Sequence, residues 1–179
     1  KNLSWSPTEA LEKVGQLASA LGSAHREGLI HGGICPEQIL VESTGTLQLT
    51  GLELPDFLHA APARIHYRSP EQSSPLSNAV DGRTDIYGLG AVLYEVLTGN
   101  PPHTIAPEST LSRRIRKGHI VEPSEIRSEI GSTANSICLT ALSPKPSTRY
   151  EMPIDLARDI ERALQGHATQ ASKSTQSRN

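Results

Sequence analysis

The fold is decided by HGGICPEQIL at residues 31–40, followed by LQLTGLEL at residues 47–54. The first stretch holds two glycines and a Cys-Pro turn before the apolar run 39–41. The second begins with a short apolar run and reaches a glycine at Gly51. Between them, residues 42–45 end in a glycine, which a tight turn often needs for positive φ. The sequence therefore predicts a β-hairpin preceded by an irregular loop.

The composition excludes several classes of protein. The chain has 179 residues, 36% hydrophobic and 3% aromatic, which indicates one domain with an aliphatic core. A net charge of −2, with acids and bases interspersed, argues against nucleic-acid or polybasic membrane surfaces. Cys35 and Cys138 match no metal or disulfide spacing, and no membrane-length apolar run or secretory signal is seen. We therefore expect a cytoplasmic protein without a nucleic-acid partner, whose start at Lys1 looks like a cut from something longer.

Helical periodicity flanks the hairpin on both sides. Apolar spacing predicts a helix over 5–27, with Ser6 as its N-cap and Glu9 completing a capping box. A more apolar helix over 83–98 is expected to be buried, since its small residues let other backbone approach closely. Residues 166–179 lack periodicity and predict a disordered tail or linker. The fold class is thus mainly α with one hairpin, and further helices are predicted near 108–118, 132–142 and 152–165.

Several motifs in this order resemble the C-terminal lobe of a protein kinase. His31 and the Pro36–Glu37 pair lie in the frame of the family's catalytic loop. The triplet 69–71 is similar to the Ala-Pro-Glu motif, and DGRTDIYGLG at 81–90 is similar to the start of the central kinase helix. Arg149 fits the arginine that pairs with the glutamate of the Ala-Pro-Glu motif. The sequence stretches SPEQ and YEVLTGNPP are similar to those of bacterial Ser/Thr kinases.

The resemblance covers about residues 5–165, and we assign residues 1–165 to a kinase-like C-terminal lobe. The glycine-rich loop, its lysine strand and the paired-glutamate helix of the small lobe are not found in this sequence. We therefore expect no complete nucleotide site within this chain.

Four positions depart from the kinase pattern H-R-D-L-x-x-x-N followed by D-F-G. Gly33 stands at the catalytic aspartate and Cys35 at the lysine that steadies the transferring phosphate. Gln38 stands at the metal-binding asparagine and Gly51 at the metal-binding aspartate. Loss of general-base help alone costs about 10²–10⁴ in rate. The departures predict that the chain is not an enzyme, has no catalytic, cofactor-binding or metal-binding residue, and does not bind ATP or magnesium.

Four other residues match structural positions of the family. The resemblance implies that His31 packs in an internal spine, with Leu52 in place of the usual phenylalanine, and that Asp85 holds the catalytic-loop backbone. It also implies a partly buried ion pair between Glu71 and Arg149. A retained scaffold without catalytic groups predicts a pseudokinase, a scaffold or regulator whose protein partner is an active kinase or signalling protein. The expected contact surfaces are residues 52–80 and 100–125.

Two alternatives remain open. The first is an atypical Ser/Thr protein kinase with weak ATP binding or residual phosphotransfer, in which Glu53 or Gln38 supplies a metal ligand. The second is a degenerate fragment without a stable fold. A zinc site at His25, His31 and Cys35 is disfavoured because their spacing fits no zinc pattern. A redox role for Cys35 in an exposed loop is disfavoured because no residue nearby is clearly basic enough to lower its pKa.

Overall fold

The computed structural model describes residues 5–52, 62–74, 80–103 and 108–172. The structure over these ranges is mainly helical, as expected, with one two-stranded sheet. None of the described helices is long and apolar enough to cross a membrane. The α-helices are α1 (Pro7–Arg26), α2 (Gly82–Thr98), α3 (Glu108–Lys117), α4 (Pro123–Ile126), α5 (Ser132–Ala141) and α6 (Pro153–Leu164). Short 3₁₀-helices lie at Pro36–Gln38, Pro62–Tyr67 and Pro146–Thr148.

Helix α1 begins with the capping box that the sequence predicts. The Ser6 hydroxyl accepts a hydrogen bond from the Glu9 backbone N–H at 3.2 Å. In return, the Glu9 carboxylate accepts one from the Ser6 N–H at 2.8 Å. These bonds satisfy donors that a helix start would otherwise leave open. One face of the helix is buried and packs mainly against α6 and α2; its members are Ala10, Leu11, Val14, Leu17, Ala18, Leu21 and Gly22.

Helix α2 forms the centre of the molecule. Asp81 caps its start, since the carboxylate accepts from the Arg83 N–H at 2.8 Å. A Cβ added at Gly88 would lie 2.8 Å from Ile34 Cβ, and one added at Gly90 would lie 2.8 Å from Ala141 Cβ. Such distances are too short for carbon atoms. The prediction that small residues admit neighbouring backbone to this buried helix is therefore confirmed.

The predicted hairpin is present. Strand β1 (Ile39–Val41) pairs antiparallel with β2 (Leu47–Leu49), with Ile39 opposite Leu49. Gly45 in the turn has φ of 82°, the left-handed region that glycine enters without strain. The Lys13 ammonium donates to the Gly45 carbonyl at 2.5 Å, which ties the turn to α1.

The end of the described chain differs from the expectation of a disordered tail from residue 166. Buried Asp159 on α6 accepts hydrogen bonds from the Gln170 N–H at 2.6 Å and the Ala171 N–H at 3.0 Å. Thr169 and Ala171 are buried. Residues up to 172 therefore pack on α6, because a buried carboxylate needs donors and these amides supply them. Residues 173–179 lie outside the described ranges, and the domain boundary at 165 stays a prediction.

Candidate active site

Asp85 holds the loop that carries the degenerate catalytic frame. It lies in the first turn of α2 and is 1% exposed. One carboxylate oxygen accepts from the His31 N–H at 2.9 Å, and the other accepts from the Gly32 N–H at 2.7 Å. A buried carboxylate with two backbone donors fixes both the position and the orientation of the loop. This is the geometry that the resemblance implies for Asp85.

His25 is a second partner of Asp85 that no sequence pattern indicates. Its Nε2 lies 2.8 Å from Asp85 Oδ2, and its side chain is 4% exposed. His25 therefore links the end of α1 to the carboxylate that orients the loop. Within the described ranges, which include the three residues weighed for zinc, no group of at least three His, Cys, Asp or Glu is placed to hold a metal ion.

The ring of His31 ties the loop to the end of β2. Its Nδ1 accepts from the Gly33 N–H at 3.2 Å. Its Nε2 lies 2.8 Å from the Thr50 carbonyl, which can only accept. The two contacts fix the tautomer with the proton on Nε2. His31 is therefore a buried structural residue that spans the loop and the hairpin.

The expected ion pair between Glu71 and Arg149 is present and has two parallel hydrogen bonds. The Arg149 nitrogens lie 2.7 and 2.8 Å from the two Glu71 oxygens. Thr84 also donates to Glu71 at 3.0 Å, and the guanidinium lies 4.9 Å from the centre of the Tyr87 ring. Burial acts to raise the pKa of Glu71, but the hydrogen bond and charge of Arg149 outweigh it, so the pKa lies below its ordinary value.

Cys35 is buried rather than exposed, contrary to the expectation of an exposed loop. Its exposure is 1%, because Ile34 and its neighbours press this part of the loop against α2. Burial, with a hydrogen bond and charge from Glu37, raises the pKa of the Cys35 thiol to about 12. The residue therefore offers neither a thiolate nor a positive charge at the position of the family's lysine.

Gln38 is 6% exposed and its amide is fully engaged. Its nitrogen end faces Thr50, with 3.1 Å to the hydroxyl and 2.9 Å to the carbonyl. Its oxygen end faces the Arg64 guanidinium, at 2.5 and 3.3 Å from the two terminal nitrogens. A guanidinium only donates, so the oxygen must point at Arg64. No sequence pattern indicates this contact, since the residues are far apart in the chain.

The described residues do not fit a magnesium site. Magnesium prefers several oxygen ligands with carboxylates among them. Gly33 and Gly51 carry no side chain, and the Gln38 oxygen is occupied by Arg64. Glu53, the other candidate ligand, lies outside the described ranges.

The predicted contact surfaces at 52–80 and 100–125 lie partly outside the described ranges.

Comparison with known proteins identifies the family of this chain. Residues 1–160 match the family described as Protein kinase domain. The chain belongs to this family. This kinase domain is 30% identical over 178 residues to the serine/threonine-protein kinase PknB of Mycobacterium tuberculosis, which covers 93% of the chain and 28% of the relative. It is 29% identical over 180 residues to a probable serine/threonine-protein kinase of Clostridium perfringens, covering 95% and 26%. The resemblance to bacterial Ser/Thr kinases is confirmed, and the chain spans little more than a quarter of the length of these relatives.

The comparison overturns one prediction. These relatives are named as serine/threonine-protein kinases, and with the family they point to an enzyme. The prediction that the chain is not an enzyme is therefore wrong. It equated the loss of particular side chains with the loss of the activity, although phosphoryl transfer depends mostly on positioning and electrostatics.

Proposed function

We propose that this chain is the large-lobe part of an atypical serine/threonine protein kinase with weak ATP binding and residual phosphotransfer. The observation that carries the proposal is the pair of hydrogen bonds that the Asp85 carboxylate accepts from the His31 and Gly32 backbone N–H groups. The family match and the names of the relatives support the same activity.

Phosphoryl transfer requires little covalent chemistry from the protein, and its catalysis comes mainly from positioning and charge. In the reaction, the Ser/Thr hydroxyl oxygen forms a bond to the γ-phosphorus while the bond to the bridging oxygen of ADP breaks. Gly33 offers no carboxylate, so the hydroxyl proton passes to water. The missing base lowers the rate by about 10²–10⁴, which leaves slow transfer.

Hydrogen bonds to both sides of the loop at residues 31–33 favour this proposal. Gln72 donates to the Gly32 carbonyl at 2.5 Å, and the segment that carries Gln72 is anchored by the pair between Glu71 and Arg149. The loop is thus fixed from α2 and from residues 69–74.

We also propose a protein partner and a cytoplasmic location. A protein kinase acts on a protein segment that carries a serine or threonine, so the partner is a protein. The net charge of −2 and its mixed distribution favour no nucleic-acid partner. We place the segment in the cytoplasm, on the composition and the two free, buried cysteines.

The test uses the full-length protein with ATP labelled at the γ-phosphate and a generic protein substrate. We expect weak ATP binding in calorimetry and slow labelling of the substrate. The matched variant Asp85→Asn, which keeps the size of the side chain but removes its charge, should slow labelling further. Absence of labelling would contradict the proposal.

A further inference from the structure

A small cavity lies beside the degenerate loop and is lined by cations. Its walls include Gly32, Gly33, Arg64, Arg68 and Gln72. Its volume is about 10 Å³, which is room for one water-sized group. No acidic residue is among the described residues that line it. Two guanidinium groups beside glycine backbone, without a carboxylate in the wall, favour an anionic oxygen as the occupant.

The position of Arg64 is fixed by its contact with Gln38, one of the degenerate positions. Its guanidinium donates to the Gln38 oxygen at 2.5 and 3.3 Å. Its positive charge acts to lower the pKa of the Cys35 thiol, against the larger effect of burial. Arg64 also lines the cavity together with Gly33 and Ile34, the residues that precede Cys35. Arg64 therefore brings a cation to the region where the lysine of the kinase pattern is replaced by Cys35.

Arg68 adds a second cation to the wall. Its side chain makes no hydrogen bond or ion pair with any residue in the described ranges. Its backbone N–H bonds to the Ile65 carbonyl at 3.3 Å, so Arg68 directly follows the 3₁₀-helix 62–67 that carries Arg64.

We propose that Arg64, assisted by Arg68, binds an oxygen of the ATP phosphoryl groups beside Gly33 and replaces the charge of the missing lysine. This inference rests on the proposed kinase function and names the residues that would hold its nucleotide phosphate. Gln38 then acts as a positioning residue that orients the guanidinium. A guanidinium suits the task because its planar fork donates to oxyanions in a fixed geometry.

The first arm measures binding in the full-length protein by calorimetry, with inorganic pyrophosphate as the probe and no magnesium present. Arg64→Met should weaken pyrophosphate binding about 10- to 100-fold, the usual range for a hydrogen bond to a charged group. Arg68→Met should cause a smaller loss, and Arg64→Lys should retain part of the affinity. The matched control Arg158→Met, at an exposed arginine of α6, should leave binding unchanged. Adenosine, which has no phosphate, should bind all variants equally.

The second arm measures labelling by ATP in the same variants. Arg64→Met should lower kcat/KM by a similar factor while the thermal unfolding midpoint stays close to that of the parent. Pyrophosphate affinity that Arg64→Met, Arg64→Lys and Arg68→Met all leave unchanged would overturn the inference. Faster labelling by Arg64→Met would overturn it too, since Arg64 would then obstruct the site. Arginine-dependent pyrophosphate binding without any labelling would instead support the anion site and contradict the proposed function.

Discussion

Two guanidinium nitrogens of Arg149 bind the two carboxylate oxygens of Glu71, which lies 78 residues earlier in the chain. Both side chains are almost fully buried, at 0% and 6% exposure. The pair joins the segment before residue 74 to the stretch that leads into α6. The separation makes it a constraint on tertiary structure rather than on any one helix.

Removal of Arg149 should destabilise the fold strongly. Arg149→Met leaves the Glu71 carboxylate buried without its partner, and the expected loss is about 3–5 kcal/mol in the free energy of unfolding. Urea unfolding of the full-length protein measures it. The matched control is Arg158→Met, whose ion pair with Asp155 is 3.4 Å long and whose side chain is 68% exposed, with an expected loss of about 0–1 kcal/mol. Equal effects of the two variants would contradict the assignment.

The same pair predicts sensitivity to acid. The folded-state pKa of Glu71 lies below its ordinary value of 4.5, so the carboxylate contributes stability that is fully present above about pH 4.5. That stability is lost as the pH falls through the lower, folded-state pKa. Urea midpoints measured from pH 7 to pH 3 should therefore decline more steeply in the parent than in Glu71→Gln, which has no charge to lose. Parallel pH profiles would show that Glu71 does not contribute.

Gly33→Asp should raise phosphotransfer. Gly33 is not among the glycines with positive φ, so a side chain at this position meets no left-handed backbone strain. An aspartate there restores the general base of the kinase pattern, and we expect about a 10²-fold gain or more in labelling rate. The control is Gly33→Asn, which has the same size but cannot accept the proton as a carboxylate does. A gain shared by both variants, or absent from both, would argue against a role for the missing base.

Gly90→Ala should destabilise the centre of the fold. The added methyl would lie 2.8 Å from Ala141 Cβ and 3.2 Å from the Ala141 carbonyl carbon, so α2 and α5 must move apart. Overpacking of this kind costs about 1–3 kcal/mol. Gly131→Ala is the matched control, because no atom lies within 4 Å of its added Cβ. Thermal unfolding of both variants distinguishes close packing from a general effect of replacing glycine.

Local patterns predicted much of the fold. The capping box at Ser6, the hairpin turn at Gly45 and the burial of α2 each depend on neighbours within a few residues, or on one face of a single element. The four-residue helix α4 has too few turns for periodicity to reveal it. The packing of residues 166–172 was not predicted because Asp159, the acceptor that holds them, lies on α6.

The sequence by itself determined the family, the longer helices, the hairpin and the four degenerate positions, since motifs and periodicity are properties of the chain. It also paired Glu71 with Arg149 through the resemblance. Only the tertiary structure decided that His25 contacts Asp85, and that Arg64 lies beside Gly33 and donates hydrogen bonds to the Gln38 oxygen. The physical reason is that periodicity specifies which face of a segment is buried but not which distant side chain meets it. Hydrogen-bond partners across 26 or 60 residues depend on how the segments pack.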